Sequence, residues 1–152
     1  MRYLFLILLF ASCKCPRQAV GQGGKGEMQT LPLTLILTDS YGGAEAEALQ
    51  VFRSKGGLQK FFAEVNKTRK PGLPVPDIDF TKNIALVYSP GKTPAGILPE
   101  LVALGEKEGN ILIGTKKEEQ ITSASAALTQ PFAIYTMPIT DKEVVLHRPE
   151  TP

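Results

Sequence analysis

Residues 83–88, NIALVY, constrain the fold more than any other stretch, because neither side of this segment can be left facing water. In an extended conformation Ile84, Leu86 and Tyr88 point one way while Ala85 and Val87 point the other, so both faces need cover. The run predicts a central strand. Its flanks are stiff. Pro74 and Pro76 hold an extended entry, Asp79 can close an Asx-type turn, and Phe80 offers an aromatic anchor. Beyond the strand, Pro90-Gly91 and Pro94-Ala95-Gly96 break regular structure. Residues 74–96 therefore read as a scaffold, and nothing in them is chemically reactive.

Periodicities on either side place the other elements. Leu33, Leu35 and Leu37 alternate with Thr34, Ile36 and Thr38, predicting a strand with one strongly apolar face. The turn-forming run DSYGG follows at residues 39–43, and Leu49 and Val51 then alternate with Gln50 and Phe52. These two strands are expected to pair as a hairpin with a long or bulged loop, although residues 44–48 would also tolerate helix. Ser54 is a candidate N-cap, and Leu58, Phe61, Phe62 and Val65 recur at i, i+3, i+4 and i+7, which marks an amphipathic helix. Lys67, Arg69 and Lys70 at its exit read as solvated cations beside the negative end of the dipole, and Pro71-Gly72 stops it.

After the central strand, residues 97–104 are apolar, but Pro99 cannot donate to a ladder, so their first half is an edge or a bulge. A polar connection at 105–110 and a short strand at 111–115 predict a second hairpin. Residues 116–129 carry Ser, Thr and Ala without a persistent period and read as a long surface loop suited to partner contacts. Two last strands, 132–137 and 143–147, precede a fraying tail at 149–152. The expected fold class is α+β: a twisted, mostly antiparallel sheet of about seven strands with one helix on one face, a partly open barrel being the nearest variant.

A chain of 152 residues has room for one domain, here 31–148, plus an anchor and a tether. Its 17 basic and 15 acidic residues leave no clustered positive excess of the kind that nucleic-acid binding needs. Met1-Arg2 gives a positive start and residues 3–11 an apolar run far shorter than the roughly 20 residues of a membrane span. That pattern reads as an export signal over residues 1–12. Phe10-Ala11-Ser12-Cys13 resembles a bacterial lipobox, whose cysteine thiol receives a diacylglycerol; a secreted protein cleaved at another site is the alternative. Cys13 is then a lipidation site, and lipid on it suffices for stable membrane attachment without a transmembrane helix. Cys15 reads as an incidental residue of a flexible tether, 13–30, where Gly21, Gly23, Gly24 and Gly26 crowd together. The run GQGGKGE lacks the spacing of a phosphate-binding loop and has no preceding strand.

Catalytic and metal chemistry find little support. Both cysteines lie near the N-terminus, and His147 is the sole histidine, so the folded part offers only carboxylates as further ligands. No Gly-x-Ser-x-Gly elbow accompanies His147. Asp77 and Asp79 could point the same way as an acid and base pair, but turn formation and strand entry explain them better. Glu118-Glu119 is a solvated charge run. The expectation is a non-enzyme with no cofactor and no metal.

From about residue 51 to 146 the chain resembles the PrcB C-terminal domain family, named after a lipoprotein subunit of a bacterial surface protease complex. The resemblance rests on Val51-Phe52-Arg53-Ser54, Pro76-Asp77-Ile78-Asp79-Phe80, Gly91-Lys92-Thr93-Pro94-Ala95-Gly96, Pro131-Phe132-Ala133-Ile134-Tyr135 and Met137-Pro138. Where the family pattern has Gly-Gly-Tyr, this chain has Ala95-Gly96-Ile97. The resemblance implies a non-catalytic, extracytoplasmic domain that binds a protein partner; it does not itself imply a protease, and association with or stabilisation of an envelope protease complex is a further expectation. Its location would be the cell envelope, at the outer membrane or cell surface. Candidate partner-binding residues are Lys92, Thr93, Pro94 and Ile97, with residues 123–130 as a second contact. An envelope domain for a small molecule or glycan is the alternative, with Tyr41, Tyr88 or Tyr135 stacking on the ligand. A hydrolase would need a deep pocket lined by Asp77, Asp79 and His147.

Overall fold

The computed structural model describes residues 31–116 and 127–148. Cys13, Cys15, the export signal, the tether, Glu118, Glu119, residues 123–126 and the tail 149–152 lie outside the described residues. The element order is β1 (Thr34–Asp39), β2 (Ala48–Phe52), α1 (Lys55–Val65) with a 3₁₀ turn (Asn66–Thr68), β3 (Asn83–Ser89), β4 (Thr93–Pro94), β5 (Leu101–Lys107), β6 (Asn110–Thr115), β7 (Leu128–Thr129), β8 (Phe132–Pro138) and β9 (Val144–Leu146). The class is α+β with mostly antiparallel strands and a single α-helix among the described residues.

The described strands divide into three sheets, with no closed barrel among the described residues. A four-stranded antiparallel sheet has the order β1-β8-β3-β2, and a three-stranded sheet has the order β5-β6-β9, with β6 and β9 parallel. The two-residue strands β4 and β7 pair separately. Pro90, directly after β3, and Pro99, just before β5, lack the N–H that a continuing ladder would use. The return crossing between β8 and β9 is tied down by Arg53, whose guanidinium donates to the carbonyls of Thr140 and Lys142.

β3 lies inside, as its composition demands. Ile84, Leu86 and Tyr88 pack with Leu101, Ile111, Ile113, Tyr135, Met137 and Val144 between the two larger sheets. Ala85 and Val87 face the opposite way and are covered by Leu58, Phe62 and Val65 of α1, together with Ile78, Phe132 and Ile134. The layers therefore run helix, four-stranded sheet, three-stranded sheet. Full burial of each large apolar side chain contributes about 1.5–3 kcal/mol, so two filled interfaces on one strand hold the domain together. Ser54 caps α1 as expected: its backbone is extended and its Oγ accepts the Gly57 N–H at 3.3 Å.

Two expectations about the first strands are corrected. β1 and β2 do not form a hairpin; they are the opposite edges of the main sheet, with β8 and β3 between them. A strand as apolar as β3 needs a neighbour on each edge, and β2 and β8 take those places. Nor does β1 keep one apolar face. Its register with β8 shifts between Leu35 and Leu37, so Leu33 packs between the sheets while Leu37 packs under the helix. The extra residue of this bulge leaves Leu35 and Ile36 at 52% and 42% exposure. The hairpin of β5 and β6 does form, and its turn is tighter than a six-residue connection: Glu108 and Gly109, at φ 54° and 82°, form the two-residue loop.

A candidate partner-binding surface at one end of the main sheet

The registers place four strand ends together. Asp39 at the end of β1 pairs with Phe132 at the start of β8, and Ser89 at the end of β3 pairs with Ala48 at the start of β2. Residues 40–47, 90–98 and 127–131 therefore converge at this end. Gly43 is held there by its N–H, which donates to the Gln130 carbonyl at 2.9 Å. It approaches so closely that an added Cβ would lie 2.2 Å from the Pro131 carbonyl oxygen, which only glycine tolerates.

β4 and β7 join two loops that the sequence reading named separately. Thr93 pairs with Thr129 and Pro94 with Leu128. The Ala95 N–H donates to the Ala127 carbonyl at 2.8 Å, and the Thr129 hydroxyl donates to the Thr93 carbonyl at 3.3 Å. The Ile97 N–H closes a turn on the Pro94 carbonyl at 3.2 Å. The loop carrying Lys92, Thr93, Pro94 and Ile97 and the described part of the 123–130 loop thus form one surface.

Within that surface the predicted residues differ in access. Lys92 is exposed, its Nζ 3.0 Å from Glu45 Oε1, and this cation holds the Glu45 carboxyl below its ordinary value. Thr93 is buried, while Pro94 and Ile97 are half-buried. The most open apolar side chains are Tyr41 at 60% and Leu128 at 66% exposure. Together with Glu45, Lys92, Thr129 and Gln130 they line a depression of ≈ 370 Å³. Leu128 lies within the 123–130 contact expected from the sequence but could not be singled out there, because an isolated apolar residue in a Ser/Thr/Ala-rich loop has no period to mark it.

Asp39 and Arg69 fasten the Tyr41 turn. Asp39 Oδ1 accepts the Tyr41 N–H at 2.9 Å, and the Arg69 guanidinium donates to both carboxylate oxygens at 2.7 and 3.0 Å. The bonds from Arg69 outweigh partial burial and lower the Asp39 pKa, and the same pairing raises that of Arg69. Arg69 is therefore not a solvated helix-exit cation, as the sequence suggested, but half of an ion pair across 30 residues of chain. No local pattern could have signalled that partner.

The residues named for the alternative readings are placed apart in the fold. Tyr88 and Tyr135 are buried, at 1% and 4% exposure, and cannot stack on a ligand at the surface. The Tyr88 hydroxyl donates to Glu47 at 3.1 Å, and Tyr135 Oη accepts the Leu101 N–H at 3.2 Å; burial pushes both phenols up. Tyr41 alone of the three stays open. Asp79 closes the turn before β3 by accepting the Thr81 N–H at 3.0 Å, and exposed Asp77 sits 3.4 Å from Lys55 Nζ. His147 follows β9 beside Arg148, which reaches Glu47 at the loop end of the main sheet, opposite the Asp79 turn. The length of β3 separates that histidine from the Asp79 turn, so the three side chains do not converge.

Among the described residues no group of three or more His, Cys, Asp or Glu could hold a metal ion, and no helix is long and apolar enough to cross a membrane. Comparison with protein-family models, with curated proteins and with solved structures finds no match.

Proposed function

We propose that this chain is a membrane-anchored lipoprotein whose domain binds a protein partner without catalysing a reaction, and that it associates with or stabilises an envelope protease complex. Lipid on Cys13 is the anchor. The observation that carries the binding reading is the β4–β7 pairing, which turns the Lys92–Ile97 loop and residues 127–130 into a continuous surface with Tyr41 and Leu128 projecting. An exposed tyrosine and leucine beside a lysine–glutamate pair fits the composition of protein interfaces, where an aromatic anchor is rimmed by polar groups. The surface is built on paired strands and buried bonds, so it needs little ordering on binding. The resemblance to the PrcB C-terminal domain family through Gly91-Lys92-Thr93-Pro94 and Pro131-Phe132 supports the same end of the molecule.

Co-purification from detergent-solubilised cells tests this. Tyr41→Ala combined with Leu128→Ala removes the projecting groups without touching either core and is expected to lose the partner that the unaltered chain retains after mild crosslinking. Recovery of the unaltered chain alone, or equal recovery of the partner with the double variant, would overturn the reading.

A further inference from the structure

A second concavity lies on the helix-bearing face of the main sheet, apart from the loop-end depression. It has a volume of ≈ 460 Å³ and is walled by α1 on one side and by Gly42, Gly43 and Ala44 on the other. Phe52 and Phe61, both half-buried with ring centroids 6.0 Å apart, form an aromatic floor, and Phe61 is in turn held edge-on by Phe132 at 5.3 Å. Gly57 keeps the floor open, since a methyl there would approach the Phe52 ring to 3.2 Å. Gln50, Lys60 and Glu64 stand on the rim.

The rim charges are unequal. Glu64 is taken by Lys67 at 2.6 Å. Lys60 has no ion-pair partner among the described residues, and Gln50 offers an exposed amide. An aromatic-floored recess of this volume with one uncommitted cation suits a molecule that is apolar at one end and anionic at the other. The geometry points to a binding site for a small aryl- or alkyl-carboxylic acid, its apolar body against Phe52 and Phe61 and its carboxylate at Lys60 and Gln50. This site is independent of the protein-binding surface and shares with it only the chain segment 41–45.

Calorimetric titration of the full-length protein with 3-phenylpropionate, and with the neutral 3-phenylpropanamide, tests the assignment, while amide NMR locates the contact. Saturable binding of the acid is expected, with shifts centred on residues 42–44, 50–52 and 57–64. Lys60→Gln should weaken the acid about two- to fivefold, the scale of one exposed charge pair, and bring it level with the neutral amide. Ala44→Phe should fill the recess and abolish binding, and Lys60→Gln keeps the test decisive if that variant does not fold. Absence of saturation, equal affinity for acid and amide, an unchanged constant in Lys60→Gln, shifts centred on Tyr41 and Leu128, or occupation only by a phenylalanine-terminated peptide would each overturn the proposal.

Discussion

Asp39 receives three hydrogen bonds, one from its own turn and two from a guanidinium that arrives from beyond the helix. Because these donors favour the ionised form, its pKa in the folded state lies below its unfolded value of about 3.9. The stabilisation is therefore fully present above that unfolded value and is lost as pH falls through the lower folded value. Asp39→Asn and Arg69→Gln should both lower the melting temperature at pH 7, and the gap to the unaltered protein should shrink at pH 3. A gap that stays constant between those two values would show that the pair does not carry the acid dependence. Ser54 makes a simpler contribution: Ser54→Ala removes the acceptor for the Gly57 N–H and should cost about 1 kcal/mol in urea unfolding. The cap was legible because its partner is three residues away. The ion pair was not, because only the fold brings its two halves together.

At the scale of elements, whatever repeats within a few residues could be read and whatever depends on distant pairing could not. The spacing of Leu58, Phe62 and Val65 marked the buried face of α1, and Phe62→Ala should cost about 3–5 kcal/mol, because that ring is 1% exposed in a filled interface. The composition of β3 likewise announced cover on both sides. Alternation in β1 misled, since one bulged residue moves Leu37 to the other face, and a bulge is set by the register with β8. The hairpin of β5 and β6 exposes a different compromise. Glu108 adopts φ 54°, a conformation that costs a residue with a Cβ about 1–2 kcal/mol, while its contact with Lys107 is a loose 3.9 Å surface pair. Glu108→Asn, which creates the Asn-Gly sequence favoured in such turns, should raise stability by about 1 kcal/mol. An unchanged or lower denaturation midpoint would mean that Glu108 has a compensating role.

For the whole molecule, the direction of β1 decides how an N-terminal anchor would present the domain. The chain enters through Leu31 and Leu33, which pack between the sheets beside the Thr34–Thr136 pairing, and reaches the candidate surface only after Asp39. Roughly 17 Å of strand separates the entry from that surface. An attachment at Cys13 would thus hold the body by one end and leave Tyr41, Lys92 and Leu128 at the other, so anchoring and partner capture should be separable. Cys13→Ser is expected to abolish incorporation of a palmitate analogue and to move the protein from the membrane pellet to the soluble fraction. In detergent extracts it should capture the partner as well as the unaltered chain does, because the described loop-end contacts are made by residues 43–45, 92–97 and 127–130. Tyr41→Ala with Leu128→Ala should show the reverse, remaining lipidated in the pellet while losing the partner. Continued fatty-acid labelling of Cys13→Ser would remove the anchor from that residue, and loss of capture by the same variant in extracts would move recognition away from the loop end and onto the lipid-bearing segment.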